Sequence, residues 1–154
     1  MADDRTPVYF EDLAVGRVFR AGPYPVTAAA IKDFAQAFDP QPFHLDEARA
    51  AGTFFGELVA SGWHTAAMTM RLIVDGELKL AGGIVGAGMD ELRWPRPTRP
   101  GDTLRLESEV VETRGLKSRP SHGLARIRNT TLNQKDEVVQ SFVATLFVPR
   151  REGS

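Results

Sequence analysis

The stretch that most limits how this chain can fold is GWHTAAMTMRLIVD, residues 62–75, where apolar side chains occupy almost the whole circumference of a helix. Trp63, Ala66, Ala67, Met70, Ile73 and Val74 fall at helical spacing, and Met68 and Leu72 widen the stripe. Ser61 supplies an N-cap and Gly76 a stop. A helix that is apolar nearly all round is expected to be buried on every side, so the rest of the chain has to enclose it.

The chain beyond this helix has the texture to do so. From Ile84 the periodicity changes from helical to two. Ile84 to Trp94 reads as a Gly-rich strand and Pro95 to Asp102 as a strand-breaking loop. Leu104, Leu106, Ser108 and Val110 alternate with Arg105, Glu107 and Glu109, the pattern of a half-buried strand. A turn at Gly115 to Ser121, a strand at Gly123 to Leu132, a turn at Asn133 to Asp136 and a last strand at Glu137 to Val148 complete a meander. The last strand is apolar on both faces around Val143 to Phe147, so each side of it needs a cover.

Ahead of the helix, Phe10 to Gly16 reads as an opening turn, with extended pieces after it at Arg17 to Arg20 and Tyr24 to Val26 and Gly22-Pro23 between them. Thr27 caps a helix whose apolar positions are Ile31, Phe34, Ala35 and Phe38. Pro40 and Pro42 forbid its continuation, which leaves Asp39 at or just beyond its end and His44 in the next turn. Asp46 to Ala51 adds one or two helical turns. The predicted class is α+β, an antiparallel β-sheet wrapped around a long central helix. One domain spans residues 1–154, with frayed ends at about 1–7 and 150–154. An open sheet of this kind has a free edge, and pairing edges across a two-fold axis predicts a homodimer or a dimer of dimers.

Composition narrows the function. With 154 residues and 42% hydrophobic content, the chain can bury a full core. Nineteen basic against 20 acidic residues, a formal charge of -1, lack the basic excess that phosphate backbones demand, so no nucleic-acid partner is expected. The absence of cysteine excludes disulfides, thiolate metal sites and thiol nucleophiles. No apolar run is long enough to span a bilayer and the N-terminus has no signal-like pattern, so a cytoplasmic protein without membrane contact is expected.

The residues equipped for chemistry cluster before the central helix. Asp39 and His44 share a turn stiffened by Pro40 and Pro42, and Ser61-Gly62 opens the helix, where N–H groups have no intrahelical acceptor. A carboxylate, an imidazole and open N–H donors are the parts of an acid–base site acting on a carbonyl compound. Glycine at 62 lets a ligand oxygen approach the backbone, and alanine there is expected to block that approach without destabilising the fold. His64 competes as a second imidazole but points away from Gly62, and His122 belongs to a surface hairpin. Asp39, His44, Asp46 and His64 have no compact metal-ligand spacing, and no metal is expected. Arg93, Arg96 and Arg99, with Arg114, Lys117 and Arg119, form basic loop clusters that could face substrate phosphates.

Asp39-Pro40-Gln41-Pro42-Phe43-His44 resembles the motif of the MaoC-like dehydratases and (R)-specific enoyl-CoA hydratases at Asp39, Pro42 and His44. Gly62 falls where that family has an oxyanion-hole glycine, and Trp94-Pro95 with Pro100-Gly101-Asp102-Thr103-Leu104 resembles its later strand–loop–strand segment. The chain departs from the family at Gln41 for a usual Asn, Phe38 for a small residue and Ser61 for a frequent His. The resemblance implies the hot-dog fold and a lyase that hydrates or dehydrates acyl-CoA thioesters. It implies Asp39 and His44 as acid–base residues, Gly62 and Ser61 as oxyanion and substrate contacts, and coenzyme A as part of the substrate with no further cofactor. A thioesterase of the same fold and a non-catalytic acyl-thioester-binding subunit are the alternatives.

Overall fold

The computed structural model describes residues 6–152. After a single 3₁₀ turn at Phe10–Asp12 come strand β1 (Val18–Pro25), helices α1 (Ala28–Phe38), α2 (Pro42–Leu45), α3 (Glu47–Ala50) and α4 (Gly62–Asp75), then strands β2 (Val85–Arg93), β3 (Thr103–Gly115), β4 (His122–Leu132) and β5 (Val138–Pro149). Among the described residues the strands form one five-stranded sheet in the order β1-β3-β4-β5-β2, antiparallel at every pairing. The sheet curls over α4, the hot-dog arrangement that the sequence resemblance implied.

The capping chemistry falls where the sequence put it. Thr27 accepts a hydrogen bond from the Ala30 N–H at 3.1 Å and starts α1, and the Ser61 hydroxyl accepts from the Trp63 N–H at 3.2 Å and starts α4. Met68, Leu72 and Ile73 of α4 pack with Ile31, Leu104 and Phe142 in one core cluster. Each such side chain contributes about 1.5–3 kcal/mol on full burial. A second cluster, with Phe19, Val110, Ile127 and Val148, lies under the N-terminal turn.

Three features differ from expectation. Gly22-Pro23 does not divide β1; the strand runs through it, with a register shift between Ala21 and Tyr24. Proline has no N–H to give the ladder, and an edge strand tolerates the gap. Next, α4 is not covered all round: Trp63, Met70 and Val74 remain 60%, 43% and 40% exposed, because one sheet wraps only part of a helix. Finally, Arg150 and Arg151 are held down. The Arg150 N–H donates to the Ser121 carbonyl, and the Arg151 guanidinium grips Asp12 at 2.9 and 2.6 Å. Of the frayed ends expected at about 1–7 and 150–154, residues 1–5 and 153–154 lie outside the described residues. No helix among the described residues is long and apolar enough to cross a membrane.

Candidate active site

The end of α1 is a forced stop. Asp39 takes the C-cap position, its N–H donating to the Ala35 carbonyl at 2.8 Å, and Pro42 at the first position of α2 restarts the chain in a new direction. His44 therefore sits on a one-turn helix rather than in an irregular turn. The Val59 N–H donates to the Phe43 carbonyl at 2.9 Å, and the Ala60 N–H to the Thr98 carbonyl at 2.8 Å. These bonds draw α2, the segment entering α4 and the loop after β2 around one cleft of about 560 Å³, lined by Asp39, His44, Ser61, Gly62, Trp94 and Thr98 among others.

Inside it, His44 is buried and its Nδ1 lies 2.7 Å from the Val59 carbonyl. A carbonyl only accepts, so Nδ1 carries the proton and Nε2 is the nitrogen turned to the site. Nε2 stands 3.4 Å from Asp39 Oδ2. Partial burial pushes the Asp39 carboxyl up, but hydrogen bonds from the Ser61 hydroxyl and the Gln41 amide, with His44 nearby, outweigh it and hold the group below its ordinary 3.8. Asp39 is thus an ionised carboxylate at neutral pH.

Ser61 acts in two directions, donating to Asp39 and accepting from the Trp63 N–H. The Thr65 N–H turns back to the Ser61 carbonyl at 3.0 Å, whereas the Gly62 N–H, at the first helical position, has no partner among the described residues. The glycine has a second reason that the sequence does not disclose: a Cβ at position 62 would meet Trp94 Cε2 at 2.6 Å and Cζ2 at 2.8 Å. Alanine there must displace the indole, a contact that the expectation of an unaffected fold does not take into account.

The structure thus brings Asp39, His44, Ser61 and Gly62 together. It leaves His64 outside the cleft, buried and stacked on Phe34 at 4.8 Å between centroids. His122 opens β4 beside Ser121, which lies 2.8 Å from its Nδ1. Phe38 packs on Phe34 and Gln41 bonds Asp39, and neither lines the cleft. Of the basic clusters only Arg96 lines it, paired with Glu137 at 3.1 Å; Arg99 pairs with Glu57, and Arg114, Lys117 and Arg119 lie around the β3–β4 turn. Phe54, Phe55 and Trp94 are cleft residues that sequence reasoning missed as site groups. A larger cleft of about 610 Å³ between β1, β3 and the end of α4 holds no histidine.

Further along the face of α4 that begins at Gly62, Ala66, Met70 and Ile73 line an apolar hollow of about 290 Å³ against β2, β4 and β5. An ionised carboxylate, an oriented imidazole and an open N–H thus share one cleft at the start of the hot-dog helix. The chain belongs to the MaoC like domain family, which matches residues 11–132. The 3-hydroxybutyryl-CoA dehydratase of Methylorubrum extorquens is 31% identical over 146 residues, covering 94% of this chain and 87% of that protein. Among solved structures, the MaoC-like dehydratase from Rhodospirillum rubrum is similar at a TM-score of 0.90 and 55% identity, covering 94% of this chain and 98% of that one. The R-hydratase PhaJ1 from Pseudomonas aeruginosa, unliganded, is similar at 0.76 and 28% identity, covering 94% and 88% respectively.

Proposed function

We propose that the protein adds or removes water across the 2,3 double bond of an enoyl-CoA, the product of hydration being an (R)-3-hydroxyacyl-CoA. The observation that carries this reading is the facing pair, Asp39 Oδ2 and His44 Nε2 at 3.4 Å, beside the open Gly62 N–H. The names of the relatives, a 3-hydroxybutyryl-CoA dehydratase and an R-hydratase, support it.

In the hydration direction, water bridges the carboxylate and Nε2 from the open side of the pair and gives a proton to it. Its oxygen bonds to C3, the π electrons move toward C2, and negative charge collects on the thioester oxygen, which the Gly62 N–H holds. The pair then returns one proton to C2, so the site ends as it began. Ser61 keeps Asp39 aimed, and the apolar hollow beneath Ala66 and Met70 takes a short acyl tail. The reaction asks for no cofactor beyond the coenzyme A of the substrate. In the cell the reading places it in the cytoplasm, as a homodimer or a dimer of dimers.

A thioesterase would need one base to drive water onto the carbonyl carbon, and the oriented Nε2 would then have no task. The test is incubation with a short 2-enoyl-CoA while following both loss of conjugation and release of free thiol. Loss of conjugation alone is expected; free thiol would mean a thioesterase, and neither signal a non-catalytic binder. Asp39→Asn and His44→Ala should each lower kcat by roughly two to four orders of magnitude. The double variant should be little worse than the poorer single, because the two act as a unit.

A further inference from the structure

Trp94 forms the wall of the cleft at Gly62, yet the cleft does not hold it in place. The residue comes just after β2, is 40% exposed, and meets Trp63 edge-on at 5.4 Å between ring centroids. Its indole nevertheless stands so close to Gly62 that a Cβ there would overlap the ring. A half-exposed ring at that distance needs a tether, and the tether is its Nε1–H, which donates to Gln140 Oε1 at 2.8 Å.

Gln140 lies on β5 and is fully buried. Its Nε2 donates to Thr69 Oγ1 of α4 at 3.0 Å, and Thr69 lies 2.7 Å from Thr131 Oγ1 on β4. The directions are forced. An indole N–H only donates, so the amide oxygen must face Trp94 and the amide nitrogen must face Thr69. A buried amide and two hydroxyls are expensive in a core that leucine or valine could fill, and they are tolerated only when every one is satisfied. This chain of bonds begins in the middle of the core and ends at the indole beside the open N–H.

We infer that Gln140 is a positioning residue: through Trp94 it keeps the indole against Gly62 and so keeps water away from the N–H that receives the thioester oxygen. The inference rests on the proposed hydration reaction. A donor shielded from water stabilises developing charge more strongly than a hydrated one. Because that charge exists only in the transition state, Gln140 acts on kcat and leaves substrate binding largely alone.

The experiment uses the full chain in two arms. In the first, kinetics with a short 2-enoyl-CoA compare wild type, Gln140→Leu, Trp94→Ala and the double variant. Gln140→Leu should lower kcat about tenfold, less than the loss of a whole oxyanion donor, with KM within about twofold. The double variant should be no worse than Trp94→Ala alone, since Gln140 has nothing to position once the indole is gone. Trp94→Ala, altering a half-exposed side chain, keeps the comparison available if Gln140→Leu folds poorly.

In the second arm, a Trp63→Phe background leaves Trp94 as the single indole, and its fluorescence is read with and without Gln140→Leu. Release of the ring should shift its emission to the red and raise quenching by acrylamide. An unmoved emission, or losses of kcat that simply add, overturns the inference. A shifted emission in a protein that does not hydrate the substrate supports the tether and overturns only the hydratase reading.

Discussion

His64 lies flat on Phe34, with 10° between the rings, and its buried Nδ1 has no hydrogen-bond partner among the described residues. Burial pushes the imidazole below its ordinary 6.5, so the folded protein keeps it neutral. The unfolded chain takes up that proton near 6.5 and the folded chain only at lower pH, so His64 withdraws stability as pH falls below about 6.5. His64→Phe preserves the stacking and removes both the orphaned nitrogen and the titration. Melting temperatures measured from pH 7.5 to 5 should fall less steeply for the variant than for wild type. Parallel curves would mean that His64 contributes nothing to the acid sensitivity. At this scale the sequence disclosed Asp39, His44, Ser61 and Gly62 because they are close along the chain and set by prolines and a cap. It could not disclose the Trp94–Gln140 bond, which joins residues 46 apart, one of them in a strand that reads as apolar.

Elements reveal a different kind of legibility. The Pro100-Gly101-Asp102 turn stood out as a loop from its composition, and the structure gives Asp102 a structural task. Its Oδ2 accepts from the Arg99 N–H at 2.8 Å and its Oδ1 from Gln134 Nε2 at 2.9 Å, tying the loop before β3 to the β4–β5 turn. Asp102→Ala removes two hydrogen bonds to a buried, charged acceptor and should cost about 1–3 kcal/mol. Denaturant midpoints would measure the loss, and kcat/KM should stay within a few-fold wherever the variant is folded. Activity lost at full stability would move Asp102 from the scaffold into the site. The limits of α4 were readable from Ser61 and Gly76, since caps are local signals; the passage of β1 through Gly22-Pro23 was not, because only its partner β3 keeps the strand in register.

For the whole molecule, the sequence overstated how much of the central helix its own sheet would cover. Strand β5 lies inside the sheet, paired with β4 on one edge and β2 on the other, so it offers no free edge, and most of its buried apolar side chains are taken up by the two core clusters. Part of the exposed apolar surface lies on the edge strand β2, where Val85 and Met89 are 52% and 48% exposed, and on the adjoining Met70 of α4. A second copy laid along β2 would pair that edge and bury this surface. Sedimentation at micromolar concentration should therefore give a dimer or a larger even assembly, and Met89→Lys should shift it toward monomer. A wild-type protein that sediments only as monomer would rule the assembly out.

The hydrogen bond from His44 to the Val59 carbonyl has a consequence for how this site can drift through mutation. The acceptor belongs to the main chain, so no codon change at position 59 deletes it, and the imidazole's aim is invisible to side-chain identity there. Because Val59 is fully buried and its N–H donates to the Phe43 carbonyl, substitutions are filtered by volume, by polarity and against proline. Descendants of this chain are free to exchange small apolar residues at 59 while the proton on Nδ1 stays where it is.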